Sequence, residues 1–153
     1  MTRLSINFTL EELLVSQKAA REGFTEQFEP PPDIVSNLTR LAGHLEIVRA
    51  ILGSVPLIVT SGYRCQRVND AVAGSSRTSA HMLGLAADFT APRFGTPIEV
   101  CRRLAQTQKL EFDQVIYEYE SWCHFAVGPG DRRQLLSKFS GDPQYHPGII
   151  VRP

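Results

Sequence analysis

Ser79-Ala80-His81-Met82-Leu83-Gly84-Leu85-Ala86-Ala87-Asp88 sets an imidazole and a carboxylate seven residues apart, with small residues between them. Its second half, from Leu85 to Thr90, reads as a strand that carries Asp88. Gly84 and Ala86 let the backbone bend between the two polar groups and leave room above them. A second imidazole stands downstream in Trp122-Cys123-His124. Two His and one Asp make a three-ligand set that suits one zinc ion and leaves a fourth position open for water. Bound zinc acidifies such a water and polarises a carbonyl, the two effects that amide hydrolysis requires.

Upstream of this stretch, Pro56-Leu57-Ile58-Val59-Thr60 reads as a short buried strand ended by Ser61-Gly62-Tyr63-Arg64. A short helix from about Gln66 to Val72 follows, and then a loop at Gly74-Ser75-Ser76-Arg77-Thr78. Ile34, Leu38, Leu41, Leu45, Val48 and Leu52 recur at helical spacing behind the breaker Pro30-Pro31-Pro32, with Asp33 as candidate cap. That helix should lie across a sheet. Thr9, with Glu12 three residues on, opens an N-terminal helix expected to run to about Arg21.

Downstream, Thr96-Pro97 start a helix of about a dozen residues, with Pro in the first turn. Asp113 to Glu118 and Trp122 to Val127 are β-prone runs close enough to form a hairpin. A last helix is expected from Arg132 to Phe139, and an irregular tail over 141–153.

The 153 residues are expected to form a single domain, with 42% hydrophobic and 21% charged residues. Lys plus Arg and Asp plus Glu number 16 each, so bulk charge gives no support for nucleic-acid binding. No segment approaches the ~20 apolar residues of a membrane span, and the N-terminus does not read as a secretory signal. Synthesis in the cytoplasm is expected. The cysteines, Cys65, Cys101 and Cys123, are widely and irregularly spaced and read as free thiols. If 122–127 is a strand, Cys123 turns away when His124 faces a metal. His44 and His146 read as structural or surface residues.

Ser61-Gly62-Tyr63-Arg64, Asn69, Gly74, Ser79-x-His81-x-x-Gly84-x-Ala86-x-Asp88, Gln114-x-Ile116-x-Glu118 and Trp122-x-His124 occur in that order. Together they resemble the M15 peptidases, zinc D-Ala-D-Ala carboxypeptidases and phage endolysin peptidases that act on peptidoglycan. The resemblance covers nearly the whole chain. It implies a small α+β fold, with helices packed on an antiparallel sheet that carries zinc on His81, Asp88 and His124. The hedgehog domain shares that fold and a similar metal site, so fold alone does not establish turnover.

The resemblance also implies a catalytic carboxylate. Some members place a Glu three residues before the last His, where this chain has Ser121. Glu118 matches the Gln-x-Ile-x-Glu form and is the expected base, with Glu120 in reserve; strand parity alone does not separate them. Arg64 is expected to bind a substrate carboxylate or the developing oxyanion. Ser79 is a candidate for binding substrate or for orienting His81, and Trp122 for walling the cleft or packing in the core. The expected substrate is the peptidoglycan stem peptide. It is reached by a monomeric, endolysin-like enzyme released through membrane lesions, without stable membrane insertion. A carboxypeptidase that trims terminal D-Ala and a zinc-stabilised binding module are the alternatives.

Overall fold

Alternation along the middle strands sets the layering. In β2 (Ala86–Thr90) and β4 (Trp122–Ala126), every second residue is a large or small apolar group, and the intervening positions include Asp88 and His124. A computed structural model describes residues 1–72, 75 and 79–153. The loop expected around Gly74 lies mostly outside these residues.

The sheet has six strands in the order β1-β2-β4-β3-β5-β6. The others are β1 (Ile58–Ser61), β3 (Gln114–Glu118), β5 (Gln134–Lys138) and β6 (Tyr145–Pro147). All pairings are antiparallel except β3 with β5. Helices and a mostly antiparallel sheet make this the α+β fold expected.

Antiparallel register places Ala87 opposite Phe125 and Phe89 opposite Cys123. With Val115 and Tyr117 of β3 they join one apolar cluster. To that cluster α3 (Pro32–Ile51) contributes Leu38, Leu41, Leu45 and Val48, and, beyond the short α4 (Gln66–Ala71), α5 (Pro97–Gln106) contributes Val100, Cys101 and Leu104. The opposite face carries Asp88, His124 and Ile116 in one row across β2, β4 and β3. The three cysteines are buried and free, and Cys123 sits on the core side.

The N-terminal helix breaks in two, α1 (Leu10–Leu13) and α2 (Gln17–Glu22), instead of running through to Arg21. Ser16 is the reason: its hydroxyl accepts from Ala19 N at 3.1 Å and starts a second helix. The break leaves the Leu13 carbonyl free to accept from Tyr63 N at 2.8 Å. Asp33 does not cap α3; Pro32 occupies the first turn behind an extended Pro31, and Asp33 lies inside that turn.

The helix expected at Arg132 to Phe139 is instead β5. Its residues suit a helix, but β3 offers an unpaired edge. Gln134 N donates to Asp113 O at 2.9 Å, Arg133 N donates to Phe112 O at 3.1 Å, and Arg132 is tied to the Asp113 carboxylate. Tertiary pairing overrides the local propensity. Within the tail expected to be irregular, Tyr145–Pro147 adds the edge strand β6. The hairpin of β3 and β4 forms as expected. Among the described residues no helix is long and apolar enough to cross a membrane.

Candidate metal centre

His81 sits in a 3-10 turn, Ala80–Leu83, that leads into β2. Ser79 caps the turn, its hydroxyl accepting from His81 N at 3.2 Å. Gly84 ends it at φ +71°, a left-handed position natural to glycine. The imidazole is 1% exposed. Its Nδ1 lies 2.7 Å from the Gly62 carbonyl, which can only accept, so Nδ1 carries the proton. Nε2 is left with a lone pair and has no hydrogen-bond partner.

That lone pair faces Asp88 Oδ1 at 3.3 Å. Two acceptors turned toward each other in a buried site are unfavourable unless a cation lies between them. His124 completes the group, with Nδ1 at 2.9 Å from Asp88 Oδ1. Asp88 and His124 are direct partners in the β2–β4 ladder, so the sheet register itself brings them together. One donor atom from each of the three residues lies within 4.8 Å of the others, and all three residues are buried. Two imidazole nitrogens and a carboxylate oxygen fit a divalent ion such as zinc.

Burial pushes the Asp88 carboxyl up, but positive charge beside it and the hydrogen bond donated by His124 outweigh it and hold the group well below the ordinary range. Burial lowers the pKa of His124, yet its bond to Asp88 and the nearby carboxylates raise it overall.

Glu118 ends β3 beside this group, with Oε1 at 3.6 Å from His124 Nδ1 and 3.3 Å from the donating indole nitrogen of Trp122. Its side chain is 14% exposed. Burial pushes its pKa up and Asp88 adds to the rise, against the opposing pull of His124. Tyr119 and Glu120 form the hairpin turn, both at positive φ (54° and 58°). The turn swings Glu120 outward to pair with Arg152 at 3.4 Å, its side chain 46% exposed. Geometry thus separates two carboxylates that parity could not: Glu118 borders the cluster and Glu120 does not.

Arg64 approaches from the β1 side. Its guanidinium reaches Asn69 Oδ1 and Ser61 Oγ, both at 3.3 Å, and stands 3.8 Å from Asp88 Oδ2. An open cleft of about 1050 Å³ holds the group; Arg64, Ser79, Glu118 and Trp122 line it. His44 bonds back to Arg40 O within α3, and His146 pairs with Asp142; neither joins the cluster.

Two supporting residues escaped the sequence reading. A Cβ on Gly62 would press into the Leu13 carbonyl, whose carbon would lie at 2.9 Å. Only glycine lets this backbone pass there and present its own carbonyl to His81. Gln27 is fully buried; its amide donates to Leu14 O at 2.9 Å and Tyr63 O at 2.7 Å, and accepts from Cys65 N at 2.8 Å. It clamps the segment that carries Arg64. The Gly62 signal lay in the Ser61-Gly62-Tyr63-Arg64 motif; a lone Gln27 offered none.

A helix-backed sheet presenting Asp88 and His124, with His81 from the adjoining turn, in an open cleft has the donor set of a metal-dependent enzyme. The family model described as Peptidase M15 matches residues 6–126, and the chain belongs to that peptidase family. A search of curated proteins finds no match.

Proposed function

We propose that the chain is a zinc-dependent peptidoglycan peptidase that hydrolyses an amide bond of the stem peptide, acting as a monomer in the manner of a phage-type endolysin. The supporting observation is the convergence of His81 Nε2, His124 Nδ1 and an Asp88 oxygen inside the cleft of an M15 chain. His81, Asp88 and His124 are the residues that would hold the ion. Bound there, zinc supplies Lewis acidity, acidifying water and polarising a carbonyl.

The chain's own groups account for the rest. Glu118 takes a proton from the attacking water and delivers it to the leaving nitrogen; the water oxygen joins the carbonyl carbon as the C–N bond breaks. Its place at the end of β3, bordering the cluster, suits both acceptance and return of the proton. The Trp122 indole N–H holds the carboxylate in place. Arg64 offers guanidinium donors to the carbonyl oxygen as negative charge develops on it. The Gly62 carbonyl fixes the tautomer of His81.

The test combines metal analysis of the purified protein with mass spectrometry of digests of purified wall and of soluble precursor pentapeptide. One equivalent of zinc and fragments cut inside the stem peptide are expected, and a Glu118→Gln variant should keep the zinc and yield no fragments. Release of terminal D-Ala alone would make the protein a D-Ala-D-Ala carboxypeptidase. No product from any wall type by zinc-loaded protein would leave a zinc-stabilised binding module.

A further inference from the structure

The cleft continues past the metal cluster onto a floor built by β3 and β5. Their parallel register sets Ile116 opposite Leu136 and Gln114 opposite Gln134. All four residues line the cleft. Moving away from Glu118, the floor is first an apolar pair and then an amide pair. β5 lies beyond the residues that the family model matches.

Gln114 Nε2 donates to Gln134 Oε1 at 2.6 Å. A side-chain amide carries two N–H donors and a carbonyl with two lone pairs, so one mutual bond leaves capacity on both. One carbonyl and one NH₂ keep their bonding capacity on residues that line the cleft, and exchanging O and N in both amides leaves the same complement. A peptide backbone amide presents the matching acceptor and donor. The pair stands on rigid elements: both glutamines are strand residues. Beside them Arg132 Nε and Nη2 clamp the 1% exposed Asp113 at 2.8 and 2.9 Å.

Distance fixes the position along a substrate. Ile116 lies directly opposite His124. Gln114 is two residues farther along β3, about 7 Å, which an extended peptide covers in about two residues.

We propose that Gln114 and Gln134 form a subsite for a backbone amide of the substrate peptide about two residues from the scissile bond. The Ile116–Leu136 pair takes the small aliphatic side chain between. The proposal rests on the peptidase reading and deepens it: the enzyme measures stem-peptide length on one side of the cut.

The test uses zinc-loaded protein and synthetic stem peptides in two series, lengthened residue by residue toward either the N- or the C-terminus. Lengthening on one side by about two residues should raise kcat/KM about tenfold, the worth of one or two neutral hydrogen bonds. The gain should appear mainly in KM. In a Gln114→Ala/Gln134→Ala variant the ratio of long to short substrate should fall toward one. N-methylation of the critical amide should do the same to the unaltered protein, which keeps the test valid if the variant folds poorly.

No gain with length in either series, or a gain that survives both the variant and N-methylation, overturns the proposal. If no peptide is cleaved, the peptidase reading fails separately. Binding is then read from the fluorescence of Trp122, the single Trp of the chain, which lines the cleft. Tighter binding of the long peptide that is lost in the double variant supports the subsite; equal binding of long and short peptides refutes it.

Discussion

The two faces of the β2–β4 ladder are one residue apart in sequence and opposite in purpose. Phe89, Cys123 and Phe125 point to the helices and are fully buried among apolar neighbours. Asp88 and His124 point the other way and meet His81. The core face is held by packed volume; the cleft face is held by charge and hydrogen bonding. A one-residue slip of register would exchange them and destroy both.

Asp88→Ala should show the largest functional effect. It removes one donor atom and leaves two imidazoles facing each other. Metal affinity and kcat/KM should fall by more than the 10–100-fold typical of losing an outer partner. Stability of the metal-free protein should drop by only about 1–3 kcal/mol, the cost of leaving buried His124 without its partner. Phe125→Ala, one pleat away, should cost about 3–5 kcal/mol of folding free energy through the cavity it opens. Protein that still folds should retain full metal stoichiometry. Denaturant unfolding and metal analysis on both variants check the contrast; a large stability loss in Asp88→Ala would erase it.

The contrast sharpens at the hairpin, where Glu118 faces the cluster and Glu120 faces solvent. Glu118→Gln should lower kcat by about 10²–10⁴ with metal retained, whereas Glu120→Gln should leave kcat within twofold. The pH profile carries the sign. A base acts only when ionised, and burial raises the pKa of Glu118. The acidic limb of kcat/KM should therefore report Glu118, activity rising with pH through it. Glu118→Gln should lose that limb and Glu120→Gln keep it.

A milder effect is expected at Gly62, which touches both faces of the argument. Gly62→Ala must displace the backbone from Leu13 and with it the carbonyl that holds His81. Zinc affinity should fall about 10–100-fold, and folding stability by about 1–3 kcal/mol. Calorimetric zinc titration and thermal unfolding measure the two. Unchanged zinc affinity would show that His81 needs no tether.

The β2 to β4 core of the fold was legible because periodicity and chemistry agreed there. Small residues lead into Asp88, apolar residues alternate with His124, and the hairpin is short. The three members of the metal group were named from their residue types and from the resemblance; the sheet brings Asp88 and His124 together, and the turn before β2 adds His81. What escaped was decided by distant partners. β5 resembles a helix until the unpaired edge of β3 recruits it. The N-terminal helix breaks where Ser16 recaps it and the Leu13 carbonyl finds Tyr63. Gln27 is polar and looks exposed, yet it is buried because three backbone groups, on Leu14, Tyr63 and Cys65, need its amide. Glu118 and Glu120 were separated only by the positive φ values of the turn.

The smallest effect tests whether the β5 end of the cleft is held as firmly as the β2–β4 middle. Arg132 donates to both oxygens of Asp113, and this bond with other contacts holds the buried carboxyl below its ordinary range. A lowered folded-state pKa means that the pair's contribution is complete above the ordinary Asp range near pH 4 and is lost as pH falls through the lower folded value. Arg132 is more than half exposed, so solvent screening limits the contribution to about 1 kcal/mol. Asp113→Asn should lower stability by about that amount at pH 7 and flatten its decline below about pH 4. Urea unfolding across that range measures it. An Asp113→Asn protein whose acid limb is as steep as that of the parent would show that the Asp113–Arg132 pair does not anchor β5, leaving the floor of the cleft to backbone pairing with β3 alone.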